Sequence, residues 1–471
     1  MGRRREKRAL ERALKEARSY DAWRRAAEAL DRHEGHDAWR ADPASPYFDR
    51  ALLIEDLHLM EAAVETGTLG ELPALLAESI YRHLPDLMAP ELYAVTRSGE
   101  TKQIVQRYLT TCARIIGALI DTPVDGWSDT QKREELQRRY DNFGRSALML
   151  SGGATWGLYH MGVCKALHEN GLIPSVVCGS SMGAIIAAGI CTRSPEELDQ
   201  LFGDVASIHR VCLRPFSPRE MWRSRALMDP EQLREHITFN CGDDTFAEAY
   251  ARTGRTLAIS ISPTRARQKP RVLTHRTAPQ VRIVDATLAS CAVPGLFPPV
   301  QLSARTAEGE VVPYAPNETW VDGSLQGDLP MDRLGRLHNV NHFIVSQTNP
   351  HVVPLLGSGA AGPRGALLSD LGVAVARAQA SAVLDTVRRR VRSDTLRSVA
   401  DHLHGLAAQR YAGDILIHPS FEPGMLARVL KNPSLEQLEG FIRDGERATW
   451  PHLAQVRDQT LLSRTFEALL R

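Results

Sequence analysis

The chain lacks any C-x-x-C pair, any net excess of one charge sign, and any uninterrupted apolar stretch of membrane-spanning length. Its seven cysteines are scattered over 471 residues. That spacing argues against a disulfide framework or a sulfur-based metal site and favours a reducing compartment. Lysine and arginine together number 57 against 56 aspartates and glutamates, a formal net charge of +1. A nucleic-acid binder would carry a basic excess, so nucleic acid is not an expected partner. The longest apolar stretch, Leu172 to Cys191, is broken by Pro174 and by Gly179-Ser180-Ser181, and it is too interrupted for a membrane span. The first residues have no apolar core of the signal-peptide type. Glu6 stands where a myristoylation signal wants Ser or Thr. The expectation is a soluble or peripheral protein inside the cell.

What is present is ordinary globular material. Hydrophobic residues make up 43% and charged residues 24%, and the length suits two or three packed regions. Residues 1–145 read as a helical domain. Tyr20, Trp23, Ala27 and Leu30 share one face, as do Leu53, Leu57, Met60 and Val64, then Leu72, Leu76 and Ile80. Ile104, Tyr108, Cys112, Ile115 and Leu119 continue the spacing. Residues 146–350 change character. Apolar runs at Ala147–Leu150, around Val176, at Leu257–Ile261, at Val281–Val284 and at His342–Ser346 read as strands between helices. That alternation predicts an α/β fold with a mostly parallel sheet. Residues 351–471 read as a helical C-terminal extension, entered through a Gly/Ala/Pro-rich stretch, Gly357 to Gly365. Two basic runs stand out: Arg3, Arg4, Arg5, Lys7 and Arg8 at the start, and Arg388, Arg389, Arg390 and Arg392 in the extension. Each reads first as a solvated helix face and, alternatively, as a contact for an anionic membrane surface.

Chemistry concentrates at Gly179-Ser180-Ser181-Met182-Gly183. It follows a strand and opens a helix of small residues, Ala184 to Ile190. Strand, Gly-x-Ser-x-Gly and helix together make a nucleophile elbow, with the central serine held exposed on a tight turn. Ser181 is therefore the candidate nucleophile, with Ser180 off the centre. Ser151-Gly152-Gly153-Ala154-Thr155-Trp156-Gly157 leaves another strand and enters a helix, so its backbone N–H groups could face an anion. A dinucleotide site is the competing reading, but the acidic residue it needs about twenty positions on is missing. A base is also required. His338, His342, His418 and His452 do not occupy loop positions suited to it. Asp322, in Trp320-Val321-Asp322-Gly323-Ser324, suits a Ser-Asp pair without histidine, and Asp285 and Asp328 are the rival acids. No ligand cluster suggests a metal or cofactor.

With both motifs in place the chain resembles the patatin-like acyl hydrolases. Ser290-Cys291-Ala292-Val293-Pro294-Gly295-Leu296-Phe297 is similar to the family's segment between the elbow and the aspartate. Phe343 to His351, Gly445 to Pro451, Trp23 to Asp31, and Leu92-Tyr93 with Gly99 to Lys102 resemble a subgroup of intracellular triacylglycerol lipases with a helical leading domain. The resemblance implies a three-layer α/β/α core, Ser181 as nucleophile, Asp322 as its proton acceptor, and Gly152, Gly153 and Ala154 as the oxyanion loop. Gly157, Gly179, Gly183 and Gly323 are the motif glycines. It implies a lipid substrate, peripheral contact with a membrane or lipid droplet, and no metal or cofactor, and it leaves the oligomeric state open. Phospholipid hydrolysis, acyl transfer and a non-catalytic lipid-binding role are the alternatives. The chain departs from the common pattern at Ala154, where many members have glycine, at Trp156, where many have a basic residue, and at Ser324, where Ala or Gly is usual.

Overall fold

The computed structural model describes residues 2–66, 76, 80, 82–123, 127–265, 268–323, 328–350, 352–353, 413–420 and 429–470. Leu72, Ser324, the Gly357–Gly365 stretch and the Arg388–Arg392 run lie outside them.

Short strands with apolar residues at every position need cover on both faces, and the central ones have it. β1 (Arg145–Leu150) buries Leu148 and Leu150 in one core and Ala147 and Met149 in another. β2 (Val176–Gly179) divides Val177 from Val176 and Cys178 in the same way. β3 (Thr256–Pro263) sends Leu257, Ile259 and Ile261 to the first core and Ala258 to the second. The other strands are β4 (Arg271–Leu273), β5 (Ser303–Arg305), β6 (Val311–Pro313), β7 (Trp320–Asp322), β8 (Val340–Ser346) and β9 (Ile415–Ile417). Among the described residues the main sheet runs β4-β3-β2-β1-β8-β9, with β7 also paired to β3, while β5 and β6 form a separate ribbon. The pairs β1–β2, β1–β8, β2–β3 and β8–β9 are parallel. The expected mostly parallel sheet flanked by helices is present.

One register detail positions the site. β2 ends at Gly179, opposite Ile259 of β3. Two residues further on, Ile261 pairs with Arg271 of β4 and with Asp322 of β7. A strand residue has only two sides, so β7 takes the β2 side of β3, just beyond the point where β2 stops. The Asp322 strand thus continues the lane that the elbow leaves.

Two segments differ from their expected form. Val281–Val284 is not a strand: Ile283–Cys291 is a helix, and Val281 makes only an isolated bridge to Ala304. Ile283, Val284, Leu288 and Ala289 are all buried in the first core. Packing on every side decided the form over the β-branched preference of the run. The C-terminal region, expected to be helical, also supplies β9, whose Leu416 pairs with Val345. Its helices Leu435–Thr449 and Leu453–Leu470 then pack elsewhere.

The N-terminal helices share a separate core around Leu57, Met60, Tyr108, Cys112 and Ile115, and Leu462 and Phe466 of the last helix complete it. Asp31 accepts hydrogen bonds from Arg97 N, Ser98 N and Ser98 Oγ. Arg457 of the last helix bonds both oxygens of Glu100. The Trp23-to-Asp31 and Gly99-to-Lys102 segments therefore fasten helices to one another. Among the described residues no helix is long and apolar enough to cross a membrane, and all seven cysteines are free and buried.

Candidate active site

At the carboxyl end of β2 the chain must reverse at once into a helix. Ser181 makes that turn with φ +52° and ψ −124°, in a region that side chains with a Cβ rarely adopt. Such strain persists only where the surroundings enforce it, and it is typical of functional positions. The flanking glycines permit the close packing. A Cβ on Gly183 would lie 2.2 Å from Leu150 O, and one on Gly179 would lie 2.2 Å from Gly183 O. Gly323 has the same constraint, 2.3 Å from Ser260 O. Ser180 is fully buried, whereas Ser181 is partly exposed and lines a cleft.

The end of the helix Ile283–Cys291 joins the elbow to the aspartate. Ser181 N donates to Ser290 Oγ at 3.0 Å, and Ser290 Oγ donates to Ser260 O at 2.7 Å. Asp322 N donates to Ala292 O at 3.0 Å. Between those anchors lies Cys291. Burial pushes its thiol well up from the ordinary range, the Asp322 charge adds to that, and the Ser181 hydroxyl beside it pulls the other way. One three-residue step, Ser290-Cys291-Ala292, thus touches both candidate residues. Asp322 is only 1% exposed. The functional weight of Ser290 was not legible in the sequence, where it stood only inside a resembling segment.

The glycine-rich loop is held from behind. His160 Nε2 contacts Ser151 O at 2.9 Å and His160 Nδ1 contacts Ser346 Oγ at 2.7 Å. Burial lowers this imidazole to about 4, so it is neutral and structural. Thr348 N donates to Ser151 Oγ and Thr348 Oγ1 to Gly152 O. A Cβ on Gly153 would meet Thr348 Oγ1 at 2.3 Å. Ala154, at φ +46°, occupies a left-handed conformation that glycine would take without strain.

One expected donor is already engaged. Gly152 N donates to Asp328 Oδ1 at 2.9 Å, so that amide does not face a substrate oxygen in this arrangement. The amides of Gly153 and Ala154 have no hydrogen-bond partner among the described residues. Asp328 is also bonded by Asn349 Nδ2. It is 1% exposed, and burial raises its carboxyl to about 7, with the Asp322 charge adding to the effect. Asp328, a rival acid in the sequence, lies in the loop ahead of the helix Met331–His338 and anchors the glycine-rich loop. Asp285, the other rival, is paired with Arg234 and with Ser303 Oγ.

Ser181 opens into a cleft of about 460 Å³ whose walls include Ala154, Ile185, Cys212, Leu296 and Leu430. Thr155, Met182, Ile185 and Cys212 also line a second cavity of about 700 Å³ that runs along the elbow helix past Gly189. No histidine is among the described residues lining the Ser181 cleft. His338 and His342 are buried and engaged with Thr274 and with Ser146 and Gln459. Among the described residues no group of three or more His, Cys, Asp or Glu could hold a metal ion.

Comparison with known proteins agrees with this architecture. The family model described as Patatin-like phospholipase matches residues 148–334, and a domain of unknown function, DUF3336, matches residues 1–141. Triacylglycerol lipase ptl2 of Schizosaccharomyces pombe is 31% identical over 98% of this chain and 75% of its own. Patatin-like phospholipase domain-containing proteins of Coccidioides immitis and Aspergillus terreus are 31% and 32% identical, over 98% and 94% of this chain. The alignments span 66% and 65% of those two proteins, so the chain covers about two thirds of their length. Among solved structures, VipD from Legionella pneumophila is matched at 15% identity and a TM-score of 0.29, over 64% of this chain and 67% of that one.

Proposed function

The chain belongs to the patatin-like phospholipase family, and we propose that it is a lipid acyl hydrolase working through Ser181 and Asp322, with triacylglycerol as its substrate. Asp322 accepts the Ser181 proton as Oγ attacks the ester carbonyl. The oxyanion forms beside Ser181 at the N-terminal end of the elbow helix, where the dipole favours negative charge, and is met from the glycine-rich loop by the amides of Gly153 and Ala154. The alcohol leaves with the proton from Asp322. Water then gives a proton to Asp322 and attacks the acyl-enzyme, and Ser181 recovers its proton as the fatty acid departs. Asp322 is 1% exposed, so little water competes with the Ser181 hydroxyl for its carboxylate.

The observation that carries this reading is the Ser290-Cys291-Ala292 step, which contacts the elbow at one end and the Asp322 strand at the other. The triacylglycerol preference draws on the relative of that name, with phospholipid the second reading and acyl transfer sharing the same acyl-enzyme. Peripheral contact with membrane or lipid droplet inside the cell follows from the same proposal. The acyl chain is taken up by the cavity beyond Met182 and Ile185.

The test is a panel of triacylglycerol, diacylglycerol, phosphatidylcholine and lysolipid with wild type, Ser181→Ala and Asp322→Asn. Each variant should lose roughly 10²–10⁶-fold in rate and should melt as a folded protein. Substantial hydrolysis by either would refute the pair.

A further inference from the structure

Between the helices Pro195–Gly203 and Pro230–Cys241, residues 205–228 carry charge and apolar surface that the chemistry at Ser181 does not use. The segment holds Arg210, Arg214, Arg219, Arg223 and Arg225 against one acid, Glu220. That acid is exposed too, but it caps the start of its own short helix, accepting from Ser217 N and Ser217 Oγ. Of the five arginines only Arg214 has a carboxylate partner among the described residues, Asp229. Amid them Trp222 is 86% exposed, and Val211 and Leu227 are 47% and 51% exposed.

Both arms of the segment reach the cleft, and Phe216 N donates to Leu227 O to hold them together with Trp222 between. Cys212 and Leu213 line the cleft. Leu227 N donates to Gly295 O and Leu296 O, and Leu296 is a cleft wall. Leu430, 49% exposed, belongs to the same rim. An exposed indole on a segment with five arginines to one acid suits the headgroup region of a lipid layer, where tryptophan settles and cations meet anionic lipid. A second copy of the chain would bring the same arginines against one another, which opposes self-association.

We propose that residues 205–228 dock the protein onto an anionic phospholipid surface and turn the mouth of the Ser181 cleft toward it. This rests on the lipid-hydrolase reading and assigns its docking face, in place of the N-terminal basic run.

The experiment uses the full chain as Ser181→Ala, so that vesicle composition stays fixed, and measures co-sedimentation with phosphatidylcholine vesicles with and without phosphatidylserine. Binding should require phosphatidylserine and weaken with salt. Trp222→Ala, and Arg219→Glu with Arg223→Glu, should each weaken it about tenfold or more. Arg3→Glu, Arg4→Glu and Arg5→Glu together should leave it intact. Unchanged binding in the segment variants, loss in the N-terminal variant alone, no binding by the parent, or a dimer dispersed by Trp222→Ala would each overturn the proposal. Hydrolysis of a water-soluble ester by the Ser181 enzyme is read separately. Its failure would sink the catalytic reading and leave the docking result standing.

Discussion

At the residue scale, Asp328 governs most of what was hidden in the sequence. Its carboxyl lies at about 7 in the folded protein against an ordinary value of 3.8. The folded state therefore holds that proton more tightly than the unfolded chain does. The stability it contributes is complete below about pH 4 and is lost as pH rises toward 7. Asp328→Asn cannot ionise, so its melting temperature should gain on wild type between about pH 5 and about pH 8. Melting curves at both pH values decide it, and a constant gap would show that Asp328 is not the buried acid. Ser181 and Asp322 were legible because glycine patterns announce tight turns. Asp328, Ser290 and Thr348 were not, since each acts through a partner remote in sequence: Gly152, Ser181 and Ser151 respectively.

At the element scale, the helix Met182–Cys191 both follows directly on Ser181 and forms one wall of the second cavity. Gly189 lies on that wall, and a Cβ there would meet nothing closer than Arg193 Nη1 at 3.4 Å. Glycine is also a poor helix former, about 0.8–1 kcal/mol below alanine, and leucine is a good one, so Gly189→Leu should fold and fill the cavity. If the acyl chain lies there, the ratio of long-chain to butyrate ester turnover should fall severalfold, and Gly189→Ala should shift it less. An unchanged ratio would place the chain elsewhere. The helix Ile283–Cys291 shows where pattern reading fails. The run Val281-Arg282-Ile283-Val284 that leads into it has strand composition, yet burial on all sides carries no period that separates strand from helix. β9 was missed because three apolar residues in a long polar tail give no signal until β8 offers an edge.

At the scale of the whole molecule, the regions read separately from the sequence are joined by packing. Phe466 is fully buried among Phe143, Tyr140 and the N-terminal helices. Phe466→Ala should cost about 3–5 kcal/mol and lower the melting temperature of the helical region, as calorimetry would show. No single-sequence pattern links position 466 to position 143, since such contacts exist only once the chain has folded. The same is true of the cleft rim. Asn432 Oδ1 accepts from Cys212 N and Leu213 N, and its amide donates to Leu213 O. Val429 O accepts from Thr155 N and Oγ1, and Lys431 O also accepts from Thr155 Oγ1. A growing polypeptide on the ribosome has Ser181 long before it has these clasps. A chain halted ahead of residue 429 should bind a fluorophosphonate poorly, and the half-made enzyme would then be harmless to the lipids around it.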